Sequence, residues 1–239
     1  PMGPMVDGAG NRISGIEDFL GRDQYGIDSP HPSMVVSDIL EQFPVLSHAG
    51  KFHAMLAASS IPEAVNYYHL FKQQAPKLHV TALFDPNIDN NEGAIGKEDA
   101  LTEIIADYNE TFGKEFVIPT WPAMKKGHFV ATVAQDPYGG IATNRSQQLD
   151  LLIVVDQMLT GFDSKWVNTL YLDKIIDYEN IIQAFSRTNR LFGPDKPFGT
   201  IRYYRKPHTM KGYIEAAVNC IPETSRSICS CRNCRKTCA

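Results

Sequence analysis

The sequence predicts an α/β fold in which a parallel sheet is covered by helices on both faces. Short apolar runs of strand length alternate with longer segments in which apolar residues recur every three or four positions, the pattern of βαβ units. The run from 149 to 155 is almost wholly apolar, as expected of an interior strand that is buried on both faces. Hydrophobic residues make up 43% of the 239 residues, which is enough for a substantial core.

Each element has its own local signal. Residues 1–33 are rich in Gly, Pro, Asp and Ser and lack periodicity, so we expect an irregular lead-in whose first residues resemble an expression-vector remnant. Ser60 suits a helix N-cap, with Pro62 and Glu63 in the first turn, and Gly113 suits a helix end. Predicted strands cover 52–58, 79–84, 149–155, 169–172 and 199–204, and predicted helices cover 34–43, 61–71, 97–112, 180–190 and 211–219.

Composition and charge exclude some classes of protein. The net charge of -4 gives no global basic field, so any nucleic acid would have to be held by a local patch. No apolar run approaches the roughly 18 residues that a membrane span requires, and the first residues lack the features of a signal peptide. We therefore expect a cytoplasmic protein with no membrane partner.

A first constellation of polar residues follows the most apolar strand. In open α/β sheets, ligands bind beyond the carboxyl ends of the strands. Gly161 allows the backbone to approach a phosphate or sugar closely, Thr160 offers a hydroxyl, and Asp163 offers a carboxylate suited to a ribose. The spacing alone favours an ordinary βα turn with an acidic N-cap.

A second constellation lies in the segment from 183 to 190. Arg187 and Arg190 are three residues apart and would share one face of a helix that extends to 190. Two such arginines can bind one phosphate group through charge-assisted hydrogen bonds. Arginine fingers, in addition, stabilise the charge on a transferring phosphoryl group. Taken alone, two arginines are more typical of a solvated basic face.

Together the two constellations resemble motifs V and VI of superfamily 2 helicases. The amino-acid sequences of several segments give a more specific match, and they are similar to those of the R subunit of type I restriction enzymes. The resemblance covers roughly residues 34 to 219, is weakest over 113–148, and is carried by Phe52 to Ala57, Asp107 to Phe112, Val154 to Asp163, Asn168 to Lys174, Ile182 to Arg190 and Asp195 to Gly199.

The resemblance implies a fold and a role. Residues 34–219 would form the second RecA-like domain of a motor that pumps double-stranded DNA, with ATP and Mg²⁺ in the cleft between two such domains. Arg187 and Arg190 would face the γ-phosphate with Gln183 supporting them, and Gly161 with Asp163 would approach the nucleotide. Thr160 and Ser59 are weaker candidates for contact with the DNA backbone. The implied partners are double-stranded DNA, the first RecA-like domain, and the modification and specificity subunits.

Two signatures of a complete motor are missing from this sequence. A P-loop requires Gly-x-x-x-x-Gly-Lys-Ser/Thr, whereas the segment from Gly93 to Glu98 lacks the first glycine at the right distance and ends in glutamate. No acidic box of the helicase type precedes the segment from Phe52 to Ala57, which resembles motif IV of the family. We therefore expect the first motor domain to be absent and the isolated chain to be inactive. The resemblance implies that the nuclease domain lies before the motor, so we expect that domain to be absent as well.

All five cysteines lie within the last twenty residues, at Cys220, Cys229, Cys231, Cys234 and Cys238. Their spacing is typical of a zinc or iron–sulfur site. For one choice of codons, restoring a single base after Asn219 gives Leu-Tyr-Ser-Gly-Asp-Lys-Pro-Ile-Asp-Leu-Phe-Val-Gln-Lys-Leu, which contains no cysteine and resembles the family's continuation. We therefore interpret residues 220–239 as an out-of-frame tail and expect no metal site.

Two other functions remain open from the sequence. One is the second motor domain of a different superfamily 2 helicase or translocase. The other is a non-catalytic DNA-binding module that depends on zinc held by the cysteines of the tail. Stoichiometric zinc in the purified protein would distinguish the module from either motor.

Overall fold

A computed structural model describes residues 2–84, 94–117, 148–155, 164–176, 178–190 and 193–219. The strands of its main sheet are β3 (His53–Ala58), β4 (Val80–Leu83), β5 (Leu151–Val155), β6 (Val167–Asp173) and β7 (Thr200–Tyr203). The helices are α1 (His31–Leu46), α2 (Ile61–Gln74), α3 (Ala94–Phe112), α4 (Tyr178–Ser186) and α5 (Pro207–Asn219). The alternation of strands and helices is the one that the sequence predicts.

Among the described residues, the sheet has five strands in the order β4-β5-β3-β6-β7, and every neighbouring pair is parallel. β5 lies between β4 and β3, with Leu151 opposite both Val80 and Ala54. The prediction that this apolar run is an interior strand is confirmed. The parallel sheet with helices around it is consistent with the predicted α/β, RecA-like fold.

The core lies between the sheet and the helices that pack on it. Residues of β3, β4, β5 and β6 are buried throughout, whereas those of the edge strand β7 are half-buried. α2 contributes Tyr67, Tyr68 and Phe71, each at most 2% exposed. Burying an apolar side chain of this size stabilises the fold by about 1.5–3 kcal/mol.

Two predicted helix ends agree with the structure. Ser60 caps α2, because its side-chain oxygen accepts a hydrogen bond from the backbone N–H of Glu63 at 3.4 Å. A cap of this kind contributes about 1 kcal/mol. Gly113 follows α3 with a φ of 61°, in the left-handed region that commonly ends helices at glycine.

The segment before α1 holds more structure than the predicted irregular lead-in. It contains a two-stranded antiparallel hairpin of β1 (Met5–Val6) and β2 (Arg12–Ile13), followed by 3-10 helices at Ile16–Phe19 and Arg22–Tyr25. α1 begins at His31, earlier than predicted. These short elements escape a sequence reading because they contain too few residues to show a period.

The predicted helix from 180 to 190 is wrong at its C-terminal end, since α4 ends at Ser186. The next two amides bond three residues back rather than four, from Arg187 N to the Ala184 carbonyl and from Thr188 N to the Phe185 carbonyl. Thr188 is 1% exposed, and a Cβ on Gly199 would collide with its backbone and side chain. The loop before β7 therefore packs closely against the chain just beyond the end of the helix.

No helix within the described residues is both long enough and apolar enough to cross a membrane.

Candidate functional site

Several polar side chains meet at the carboxyl edge of the parallel sheet. β3 is followed by Ser59, β6 ends at Asp173, and Arg205 lies two residues beyond β7. Parallel strands bring their carboxyl ends to one edge, which is where open α/β sheets bind ligands. The structure thus brings together residues that are separated by more than a hundred positions in the sequence.

Ser59 is held at this edge by two hydrogen bonds. Its hydroxyl donates to the backbone carbonyl of Asp173 at 3.1 Å, and its amide donates to the carboxylate of Glu63 at 3.3 Å. The residue is half-buried. The bond to Asp173 spans the tips of β3 and β6, so the position of the Ser59 hydroxyl is tied to both strands.

Asp173 is the centre of a buried polar network. Its side chain is fully buried, and its Oδ1 lies 2.6 Å from His31 Nε2. Its Oδ2 accepts hydrogen bonds from the Tyr67 hydroxyl at 2.7 Å and from the Arg205 guanidinium at 2.8 Å. Arg205 also pairs with Glu63 at 2.6 Å. The network therefore joins α1, α2, β6 and the segment after β7 at one point.

Burial and pairing act in opposite directions on the two carboxyl groups. Burial would raise the pKa of Asp173, but hydrogen bonds from His31 and Arg205 and the charge of Arg205 hold this pKa below its ordinary value. For Glu63, burial outweighs the attraction of Arg205 and raises the pKa. Asp173 is thus the strongly ionised partner of Arg205.

The predicted arginines lie beyond the end of α4 rather than on its face. Arg187 is half-buried, and its Nε donates to the backbone carbonyl of Gln183 at 3.1 Å. The same carbonyl accepts the Ser186 hydroxyl at 2.7 Å. The prediction that Arg187 and Arg190 share one helical face is therefore wrong, because both follow the last helical residue, while Gln183 and Arg187 do come together.

Three predicted site residues, Thr160, Gly161 and Asp163, lie outside the described residues. The cysteines of the tail do so as well. Within the described ranges, no group of three or more His, Cys, Asp or Glu side chains is placed to hold a metal ion.

The sequence analysis missed Asp173, Arg205, Glu63, His31 and Tyr67. One signal was available for Asp173 and Arg205, since both are charged residues at the ends of predicted strands, where the carboxyl edge of a sheet collects polar groups. Glu63 was identified only as a residue of the first turn of α2. His31 and Tyr67 gave no such signal, because their roles depend on which helix packs over which strand.

Comparison with known proteins identifies the family of this fold. The model of the family described as type I restriction enzyme subunit R domain 3 matches residues 50–206. This chain belongs to that family. The matched range includes the carboxyl-edge network at Glu63, Asp173 and Arg205, together with α4 and the arginines that follow it.

Individual R-subunit relatives agree with the family match. The chain is 33% identical to the endonuclease subunit of the type I restriction enzyme SsaAORF53P of Staphylococcus saprophyticus over 195 residues, which cover 78% of this chain and 20% of the relative. It is 32% identical to the endonuclease subunit of SauCOLORF180P of Staphylococcus aureus over 180 residues, covering 72% of this chain and 18% of the relative. The matched region thus spans about a fifth of these R-subunit relatives, and the chain corresponds to a fragment of an R subunit.

Proposed function

We propose that this R-subunit domain is the second RecA-like half of an ATP-driven motor that translocates double-stranded DNA. The observation that carries the proposal is the family match over residues 50–206, which includes both the predicted motif IV and the predicted arginines. The parallel sheet supports it, since Ser59 lies at its carboxyl edge, where open α/β sheets bind ligands. The parent protein would be an ATP-dependent type I site-specific endonuclease of the cytoplasm, acting with modification and specificity subunits.

The proposed chemistry divides between two domains. ATP with Mg²⁺ would be held largely by the first motor domain. The second domain, which this chain represents, would supply Arg187 and Arg190 to stabilise the charge that develops on the γ-phosphoryl group. Guanidinium groups suit this task because they donate several charge-assisted hydrogen bonds to phosphate oxygens. Gly161 and Asp163 would approach the nucleotide, and Thr160 and Ser59 would contact the DNA backbone. The domain by itself would show no ATPase activity.

The contact between Arg187 and Gln183 sharpens the proposed role of Gln183. The Arg187 Nε donates to the backbone carbonyl of Gln183, and Gln183 is an exposed residue. A Gln183→Ala variant keeps that carbonyl. Any loss of activity in this variant would therefore report on the amide side chain itself.

The test is steady-state ATPase kinetics of a complete R subunit that carries this domain, assembled with its partner subunits and DNA. Arg187→Ala and Arg190→Ala should each lower kcat by about 10³–10⁵, the range measured for arginine fingers. KM and the melting temperature should change little, because a finger acts on the transition state.

Lys77→Ala is the matched control, since it removes an exposed cation between α2 and β4, at the amino end of a strand and so at the opposite edge of the sheet from the carboxyl ends. This variant should keep a normal kcat. A normal ATPase rate with a lowered melting temperature in the Arg187 and Arg190 variants would contradict the proposal, since it would mean that both arginines only stabilise the surface around the end of α4.

A further inference from the structure

A lysine is buried in the loop that joins α4 to β7. Lys196 is 1% exposed, whereas the other residues of the loop from 193 to 199 are exposed or half-buried. Its ammonium group donates to the backbone carbonyls of Lys165 at 3.1 Å and Val167 at 2.7 Å. Burial lowers the pKa of Lys196 to about 8, so the charged form predominates at pH 7. Lysine is among the residues that proteins bury least often, so the position of this side chain is unusual.

The charge of Lys196 is not needed to fill space in the core. Among the described residues, no carboxylate pairs with its ammonium group, whose hydrogen bonds go to main-chain carbonyls. A buried charge without a counter-charge is costly, and an apolar side chain of similar length could occupy the same volume. What the ammonium group adds is a pair of hydrogen bonds to two carbonyls at the start of β6. The interaction therefore fixes the loop to the strand.

The strand to which the loop is fixed is a rigid part of the domain. All residues of β6 are buried, and the strand pairs with β3 on one side and with β7 on the other. A second attachment lies next to the first, because Asp195 pairs with Lys51 at 2.5 Å, close to the start of β3. The loop from 193 to 199 is thus tied to the amino ends of two neighbouring strands.

The same loop lies against the residues that follow α4. Gly199 is so close to Thr188 that a Cβ on the glycine would collide with the carbonyl oxygen and the Cβ of the threonine. Thr188 is buried and lies between Arg187 and Arg190 in the sequence. Because α4 ends at Ser186, the hydrogen bonds of a regular helix do not fix the geometry of this segment. Its position therefore depends on the loop that packs against it.

We propose that Lys196 is a positioning residue that holds Arg187 and Arg190 in the geometry that their proposed role requires. The inference rests on the proposed function, since an exact position matters only if the arginines act on the γ-phosphoryl group. The supporting contacts run from β6 to Lys196, along the loop to Gly199, and from Gly199 to Thr188. Arg187 is half-buried and Arg190 is exposed, so burial in the core fixes neither side chain. A displacement of about 1 Å can cost roughly 100-fold in rate, so this support has a direct effect on catalysis.

ATPase kinetics of a complete R subunit, assembled with its partner subunits and DNA, test the proposal. Lys196→Met keeps the apolar stem and removes both hydrogen bonds, so it should lower kcat by about 100-fold with little change in KM for ATP. The melting temperature should change little, because relief of the buried charge offsets the loss of the two hydrogen bonds. Lys196→Gln should recover part of the lost kcat, since its amide group can donate to the same carbonyls.

Ile104→Ala is the control for a general loss of stability. Ile104 is fully buried on α3, which packs against β4, and β4 lies at the other end of the sheet order from β7. The cavity should lower the melting temperature, but kcat should stay normal at temperatures where the protein remains folded. A normal kcat in Lys196→Met would overturn the proposal. An equal loss of kcat in Ile104→Ala would overturn it as well, since the loss would then report stability rather than position.

Asp195→Asn supplies a second variant in case Lys196→Met does not fold. Asp195 is an exposed residue, so its replacement should leave the fold intact while it weakens the other attachment of the loop. We expect a smaller loss of kcat, about threefold, in keeping with an exposed ion pair. If Lys196→Met did not fold, a normal kcat in Asp195→Asn would overturn the proposal. The proposed function is tested separately, because normal kcat values in Arg187→Ala and Arg190→Ala would refute the arginine roles themselves.

Discussion

Replacing Arg205 with methionine tests whether the network around Asp173 holds the carboxyl edge of the sheet together. The Arg205 side chain is 10% exposed and pairs with the fully buried Asp173 at 2.8 Å and with Glu63 at 2.6 Å. Methionine keeps much of the apolar stem but removes the cation. The variant therefore leaves two carboxylates close together without their shared positive partner.

The expected loss of stability is large. Removing one partner of a buried ion pair costs about 3–5 kcal/mol, because the remaining charge is left uncompensated. Whole domains are stable by about 5–15 kcal/mol, so Arg205→Met should remove a substantial fraction of the total. With a urea m-value of about 2 kcal/mol/M, the unfolding midpoint should fall by roughly 2 M.

Urea unfolding of the isolated domain, followed by circular dichroism, is the assay. The control is His69→Ala, which removes an exposed contact with Glu103 at 3.0 Å and should cost at most about 1 kcal/mol. Adding Asp173→Asn to Arg205→Met should cost less than the sum of the single variants, because it removes the carboxylate that Arg205 no longer compensates. If Arg205→Met and His69→Ala shifted the midpoint equally, the network would not have the structural role assigned to it.

Two further outcomes follow from the structure, and a third follows from the sequence. Gly199→Ala should destabilise the domain by about 1–3 kcal/mol in urea unfolding, because the new Cβ would collide with Thr188, whereas Gly212→Ala, which meets nothing nearby, should not destabilise it in this way. Burial lowers the pKa of Lys196 to about 8. Since the unfolded chain keeps the proton on this lysine up to about pH 10.5, the free energy of unfolding relative to Lys196→Met should rise with pH between these two values and stay flat below them. Finally, the tail thiols should titrate freely with Ellman's reagent under native conditions and the protein should bind no zinc, and a stoichiometric zinc site or an in-frame parent gene would refute the out-of-frame interpretation.

The network around Asp173 should lose stability as the pH falls. The pKa of Asp173 is held below its ordinary value in the folded chain, so its contribution to stability is present above about pH 4 and is lost as the pH falls through the folded-state pKa. The pKa of Glu63 is raised, so its ionisation opposes folding and its protonation does not add to acid unfolding. Acid denaturation at this site is therefore expected to follow Asp173.

Local signals predicted most of the elements correctly. The apolar run of β5 required burial on both faces, and the structure places this strand between β4 and β3. Ser60 and Gly113 marked helix ends through chemistry that acts within a few residues. The resemblance to R subunits could also be seen from sequence alone, because the amino-acid sequences of whole segments are similar.

The candidate site was less accessible to the same reasoning. Gln183 and Arg187 are neighbours in the structure, but the helix predicted to run through Arg190 ends at Ser186. Just beyond that boundary, Thr188 is buried and lies close to Gly199, in a loop eleven positions later. Helix propensity carries no information about such a contact, so the geometry around the arginines could not be predicted locally.

The sequence by itself determined the order of strands and helices along the chain, the interior position of β5 and the family. The reason is that periodicity, capping and motif residues are properties of short stretches of chain. Tertiary structure alone decided that Asp173 would meet His31, Tyr67 and Arg205, and that Glu17 would cap α5 from nearly two hundred positions away. The physical reason is that a buried charge is tolerated only where distant segments supply its hydrogen bonds. Which segments do so is settled when the whole sheet and its helices pack together.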